Sequence, residues 1–114
     1  MRRDGDRVLI PWQWITISGP SMVPTLRHGD VVIVRHGAPV RPGDVVIATF
    51  RSMPDRLVVK RAVRPVDGGW WLASDNSSVA GDSEIYGVAD VQARVLLRLR
   101  GWRLTSRVRR TPPA

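Results

Sequence analysis

Residues 29–47 read GDVVIVRHGAPVRPGDVVI. The pentapeptide Gly-Asp-Val-Val-Ile stands at both ends, at Gly29–Ile33 and Gly43–Ile47. Short β-branched runs bounded by Gly, Pro and Asp are the mark of strands. Two copies do not make a solenoid, which needs at least about three repeats. They mark two strands entered through similar turns. The same alternation continues outward in both directions. Strands are expected at Trp12–Ser18, Val31–Arg35, Val45–Phe50, Leu57–Arg64, Trp70–Ser74 and Val91–Leu99. The breakers between them are RHGD, APVRPGD, SMPD, VDGG and the long loop SDNSSVAGDSEIYG. The fold class is therefore mainly β, in one domain over residues 1–99. Residues 100–114, basic and ending in proline, are expected to form a frayed or loosely docked tail.

The composition narrows the chemistry. The chain has 114 residues, enough for one real core but not two, with 43% hydrophobic and 25% charged residues, as in ordinary globular proteins. It has no cysteine, which removes disulfides, thiolate-bound zinc and thiol nucleophiles. Two histidines, His28 and His36, are too few for a metal site, so no metal or other cofactor is expected. The net charge of +8 would suit an acidic partner. However, all but one of the eighteen basic residues are arginine, as biased codon usage produces, and no RNA-binding or recognition-helix pattern accompanies them. Nucleic acid is not an expected partner. The apolar stretch from Val8 to Ile17 is about half the length of a membrane-spanning helix. It also lacks the clean core and cleavage site of an export signal. A cytoplasmic location is expected on these grounds.

The one lysine, Lys60, lies in LVVKRAV. On a strand it shares a face with Val58 and Ala62. Burial there disfavours the ammonium and lowers the lysine's pKa. An arginine in its place could not lose a proton at useful pH. A neutral amine beside a serine hydroxyl is a competent general base. The serine for that pairing is Ser21, held between Gly and Pro residues in SGPSMVPTL.

Three segments, SGPSMVPTL, then VVKRAV about forty residues on, then SDNSSVAGDSEIYG, together resemble the conserved boxes of bacterial type I signal peptidases. The resemblance runs from about Ile17 to Val88. It implies a single signal-peptidase-like catalytic domain of antiparallel sheets with Ser21 as nucleophile and Lys60 as general base. Met22 would pack beside the nucleophile. Gly19 belongs to the oxyanion turn, and the Ser21 backbone N–H would donate to the oxyanion. Asp75, Asn76, Ser78, Asp82 and Ser83 would build the supporting loop. The compact length and the segments SMVPTLRHGD, GAPVRPGDVV and LVVKRAVRPVDGGWWL resemble the nickel-type superoxide dismutase maturation proteases most closely. The resemblance implies a leader-removing endopeptidase whose partner is a precursor polypeptide with small residues before the cut, most simply the nickel superoxide dismutase precursor.

Three positions depart from the signal-peptidase pattern. Ala80 stands where a serine usually bonds the lysine, Glu84 where an arginine usually pairs with Asp82, and Ser74 where glycine is usual. Ser77 or Ser78 is the expected substitute for the missing serine. Two further readings stay open: a signal peptidase at the membrane surface, drawn there by Trp12, Trp14 and the basic tail, and an inactive binding module on the same scaffold. A self-cleaving repressor is disfavoured, because no DNA-binding domain precedes Ser21. A Ser21–His28–Asp30 triad is disfavoured too, since His28 reads as a solvated turn residue, as does His36. Of Trp70 and Trp71, which face opposite sides of a strand, one is expected in the core and the other at the surface or a groove.

Overall fold

The computed structural model describes residues 11–79 and 81–100, with residues 103–107 as strand backbone. The described residues form one mixed-length antiparallel sheet: β1 (Trp12–Thr16), β2 (Val31–His36), β3 (Val45–Phe50), β4 (Met53–Val66), β5 (Gly69–Ala73), β6 (Ala89–Arg100) and β7 (Arg103–Arg107). A one-turn helix, α1 (Ser83–Tyr86), precedes β6. The mainly-β expectation holds, and every expected strand is present. Three differences stand out. The SMPD breaker is partly the start of the long β4, the loop read as irregular contains α1, and β7 lies within the segment read as a tail, paired with β6.

The repeated pentapeptide marks two nearly identical turns. In Arg27–Asp30 the Asp30 N–H donates to the Arg27 carbonyl at 2.9 Å, and the Asp30 carboxylate accepts from the Arg27 N–H at 2.8 Å. In Arg41–Asp44 the corresponding distances are 3.1 and 2.8 Å. The third residue of each turn, Gly29 or Gly43, has φ near +90° (89° and 93°), a conformation suited to glycine. Each turn launches a strand that sends valines into the core, Val32 and Val34 from β2 and Val45 and Val46 from β3.

The sheet is ordered β1-β2-β6-β3-β4-β5, and β5 meets β6 again through Trp70 opposite Ala89. Strands β3, β4, β5 and β6 thus close a circuit around one core cluster of Val46, Ala48, Phe50, Ala62, Leu72 and Ala89. Closure requires glycine at 69, where a Cβ would stand 2.4 Å from the Ala89 carbonyl oxygen. A second cluster, with Ile17, Met22, Leu26, Val32, Val34 and Ile47 among its members, fills the space between β2, β3, β6 and the loop after β1. The site lies where the two clusters adjoin, between β1 with its following loop and the first half of β4.

Candidate active site

The loop from Ile17 to Asp30 is stitched down at both ends. The Ile17 N–H donates to the Asp30 carbonyl at 2.7 Å and the Gly29 N–H to the Ile17 carbonyl at 2.9 Å. Between them Met22 and Leu26 are fully buried and joined by a Leu26 N–H to Met22 carbonyl bond of 2.8 Å. Gly19, at φ +85°, turns the chain so that Ser21 stands over the groove. Met22, next to Ser21, is buried in the second core cluster and lines the same groove. His28 is exposed, as expected for a turn residue, but not idle: its Nδ1 accepts the Gly19 N–H at 3.2 Å. His36 bonds Gln13 at 2.6 Å. Neither histidine bonds to Ser21 among the described residues.

Lys60 is 5% exposed, so its amine is drawn out of water. Strand alternation places it as expected, with Val58 and Ala62 packed on the circuit core and Val59 on the other cluster. Desolvation holds the amine below the ordinary lysine range; Arg56 adds to the effect, and the Asp82 charge opposes it. Ser21 and Lys60 line one cavity of about 370 Å³, together with Ile15, Ile17, Phe50 and Tyr86. The Ser21 hydroxyl is 3.5 Å from the carbonyl oxygen of Val59, the neighbour of Lys60, a contact at the limit of hydrogen bonding. The Lys60 amine donates to Ser74 Oγ at 2.8 Å. The hydroxyl and the amine thus share a cavity, while their hydrogen bonds go to Val59 and Ser74 rather than to each other.

The loop after β5 fastens the serine turn to β4. Asn76 donates its backbone N–H to the Ser21 carbonyl at 2.9 Å and its Nδ2 to the Pro20 carbonyl at 3.1 Å. Its own Oδ1 accepts the Ser78 N–H at 3.0 Å, so Ser78 supports the loop through its backbone. Asp75 takes a two-pronged contact from Arg61, at 3.1 Å from Nε and 2.6 Å from Nη2, and a 2.5 Å bond from the Thr25 hydroxyl. Asp82 caps α1 by accepting the Glu84 N–H at 3.3 Å. Ser83 is buried, its Oγ accepting the Leu72 N–H at 2.7 Å. Each supporting residue therefore has a partner that fixes a loop.

Arg61 and Thr25 carry no signal of a site role in the sequence, and the lysine's serine is neither Ser77 nor Ser78. The hydroxyl that meets the lysine is that of Ser74, one residue past β5. Ala80, which stands where a serine usually bonds the lysine, lies outside the described residues. The Asp67-Gly68 turn has both φ values positive, at 50° and 77°, as the type I′ hairpin turn requires. Counted from that turn alone, Lys60 would face Asp75. A register shift between Ala62 and Arg64 moves the pairing by one residue, so that Arg61 faces Ala73 and Lys60 comes level with Ser74.

Comparison with known proteins adds the family. The Peptidase S24-like family profile matches residues 11–96. The chain is 32% identical over 97 residues to the mitochondrial inner membrane protease subunit 1 of Homo sapiens, covering 64% of this chain and 58% of that protein. The Mus musculus protein gives the same figures. The Xenopus tropicalis protein is 29% identical over 119 aligned residues, covering 81% of this chain and 70% of its own. The chain thus spans less than two thirds of the human and mouse relatives. Their names correct one expectation and leave another without support. They place these relatives at a membrane, against the cytoplasmic location read from the sequence, and they lend no support to nickel superoxide dismutase as the substrate. No helix among the described residues is long and apolar enough to cross a membrane.

Proposed function

The chain belongs to the Peptidase S24-like family, and from that premise we propose that it is a Ser-Lys endopeptidase that removes leader segments from polypeptides at a membrane surface. The observation that carries the catalytic part is the shared cavity: a desolvated lysine and a serine in a glycine-led turn open onto one groove. In its neutral form the Lys60 amine takes the Ser21 proton as Oγ attacks the scissile carbonyl. The oxyanion that forms accepts from the Ser21 N–H. Collapse expels the amine half of the substrate, which takes its proton from the Lys60 ammonium. A water, deprotonated by the same amine, then releases the acyl half and restores both groups.

The membrane part rests on β1. Trp12 and Trp14 are 53% and 68% exposed on the face away from the core, while Ile15 and Ile17 of the same segment line the groove. Trp14 is level with Ile33 and that residue with Leu97, giving an apolar band across three strands, with Arg35 and Arg94 level with Trp12 at its border. Tryptophan beside arginine is the composition of a membrane–water boundary. The test is to offer the purified protein two substrates and read the new N-termini by mass. One is an exported preprotein on vesicles containing anionic lipid, and the other a soluble nickel superoxide dismutase precursor. Cleavage of the first, lost in Ser21→Ala, supports the reading. Cleavage of the second alone moves the substrate assignment to that precursor, and cleavage of neither favours a binding module.

A further inference from the structure

We propose that Ser74 is the positioning residue for the Lys60 amine, a role that rests on the Ser-Lys reading above. Its hydroxyl lies 2.8 Å from Lys60 Nζ and is the partner of that amine among the described residues. The contact is built into the fold by two adjacent anchors. The register shift in β4 brings Ser74 level with Lys60, and on the neighbouring position Arg61 grips Asp75, the residue after Ser74. Ser74 cannot slide without breaking that largely buried ion pair, in which the two side chains are 10% and 15% exposed.

The chemistry follows from the donor direction. An amine that commits one N–H to Ser74 Oγ loses the freedom to spin about its Cε–Nζ bond, so its lone pair can be held toward the groove. When the amine takes the Ser21 proton, the same hydrogen bond becomes charge-assisted and strengthens. Ser74 therefore stabilises the state after proton transfer more than the state before it, which is where catalysis is gained. The contact also favours the charged amine and so works with Asp82 against burial and Arg56, the charged groups acting on Lys60. The Arg61–Asp75 pair beside them is internally neutralised.

The single lysine makes the test unambiguous, because a chain labelled with ¹³C-lysine gives one side-chain signal to titrate by NMR. The expected result is a titration midpoint lower in Ser74→Ala than in wild type, and close to wild type in Ser74→Thr, which keeps the hydroxyl. Ser74→Gly serves as a second variant if the alanine variant loses the folded spectrum. On a fluorogenic peptide with alanine before the cut, Ser74→Ala should lower kcat about 10- to 100-fold with KM little changed, the size of one hydrogen bond to a charged group. Its rate should also begin to rise at a lower pH. An unchanged midpoint in both variants would overturn the role of Ser74. Failure of the Ser-Lys reading looks different: Ser21→Ala or Lys60→Met would then still cleave.

Discussion

At the scale of single residues, the molecule turns on the cost of hiding one amine. Lys60 is buried beside apolar neighbours, and its partner is a neutral hydroxyl rather than a carboxylate. Its pKa is lowered in the fold, chiefly by desolvation. The unfolded chain therefore binds this proton more tightly, and stability rises with pH between the lowered folded value and about 10.4. Lys60→Met should accordingly raise the melting temperature at neutral pH while abolishing cleavage, which a thermal melt and a peptide assay would check together. Lys60→Arg should also abolish cleavage, since a guanidinium cannot take the serine proton. Wild-type activity should climb as pH rises through the lysine's lowered pKa, because only the neutral amine is a base. Ser74 changes the expectation for Ala80. Because the amine already has a hydroxyl partner, Ala80→Ser alone should leave the rate nearly unchanged, yet restore part of the rate lost in Ser74→Ala. A several-fold gain in the single variant would show that Ser74 does not hold the amine.

At the scale of elements, the turns were open to reading and the register was not. Arg-X-Gly-Asp occurs twice because the aspartate carboxylate closes on the arginine N–H while glycine supplies the positive φ, so a repeated sequence yields a repeated turn. The lysine's face could be read in the same way, from alternation alone. Its partner could not be. One extra residue in β4 decides whether Lys60 meets Ser74 or Asp75, and the hydrophobic pattern of the strand carries no trace of that bulge. The helix α1 escaped because four residues are barely one turn, too short for any period to show. Arg61 escaped because it follows the lysine and looks like one more solvated arginine. It is 8% exposed and bonds both Asp75 and the Gly43 carbonyl, tying β4 to the turn before β3. Removing its partner leaves a guanidinium without its carboxylate in a nearly dry site. Asp75→Ala should therefore cost about 3 kcal/mol of stability, measurable by urea unfolding, and should lower cleavage as the Thr25 and Arg61 anchors loosen. Asp30 makes the matching link for β2 and β6. Hydrogen bonds from Arg100 hold its carboxyl below the ordinary aspartate value, so this contribution is present above about pH 4 and is lost as acid titrates the folded form.

At the scale of the whole molecule, one strand presents two chemistries on its two faces. In β1 and the residues after it, Ile15 and Ile17 look into the groove that holds Ser21, while Trp12 and Trp14 look outward. An extended polypeptide lying along the groove would run close to whatever the tryptophans touch. If that is a bilayer, a substrate emerging from the lipid surface reaches the serine without leaving the interface. The net charge of +8 adds attraction to anionic headgroups, which salt screens, whereas insertion of indole rings is not screened. The two contributions can therefore be separated by sedimentation with vesicles. Wild type should bind vesicles containing phosphatidylserine, more weakly at high salt but not to zero. Trp12→Ser with Trp14→Ser should remove the residual, salt-resistant part. The same double variant should cleave a short soluble peptide at the wild-type rate, because neither ring lines the groove, yet process a vesicle-bound preprotein several-fold more slowly. Equal processing of both substrates by the double variant would mean that β1 serves the groove alone.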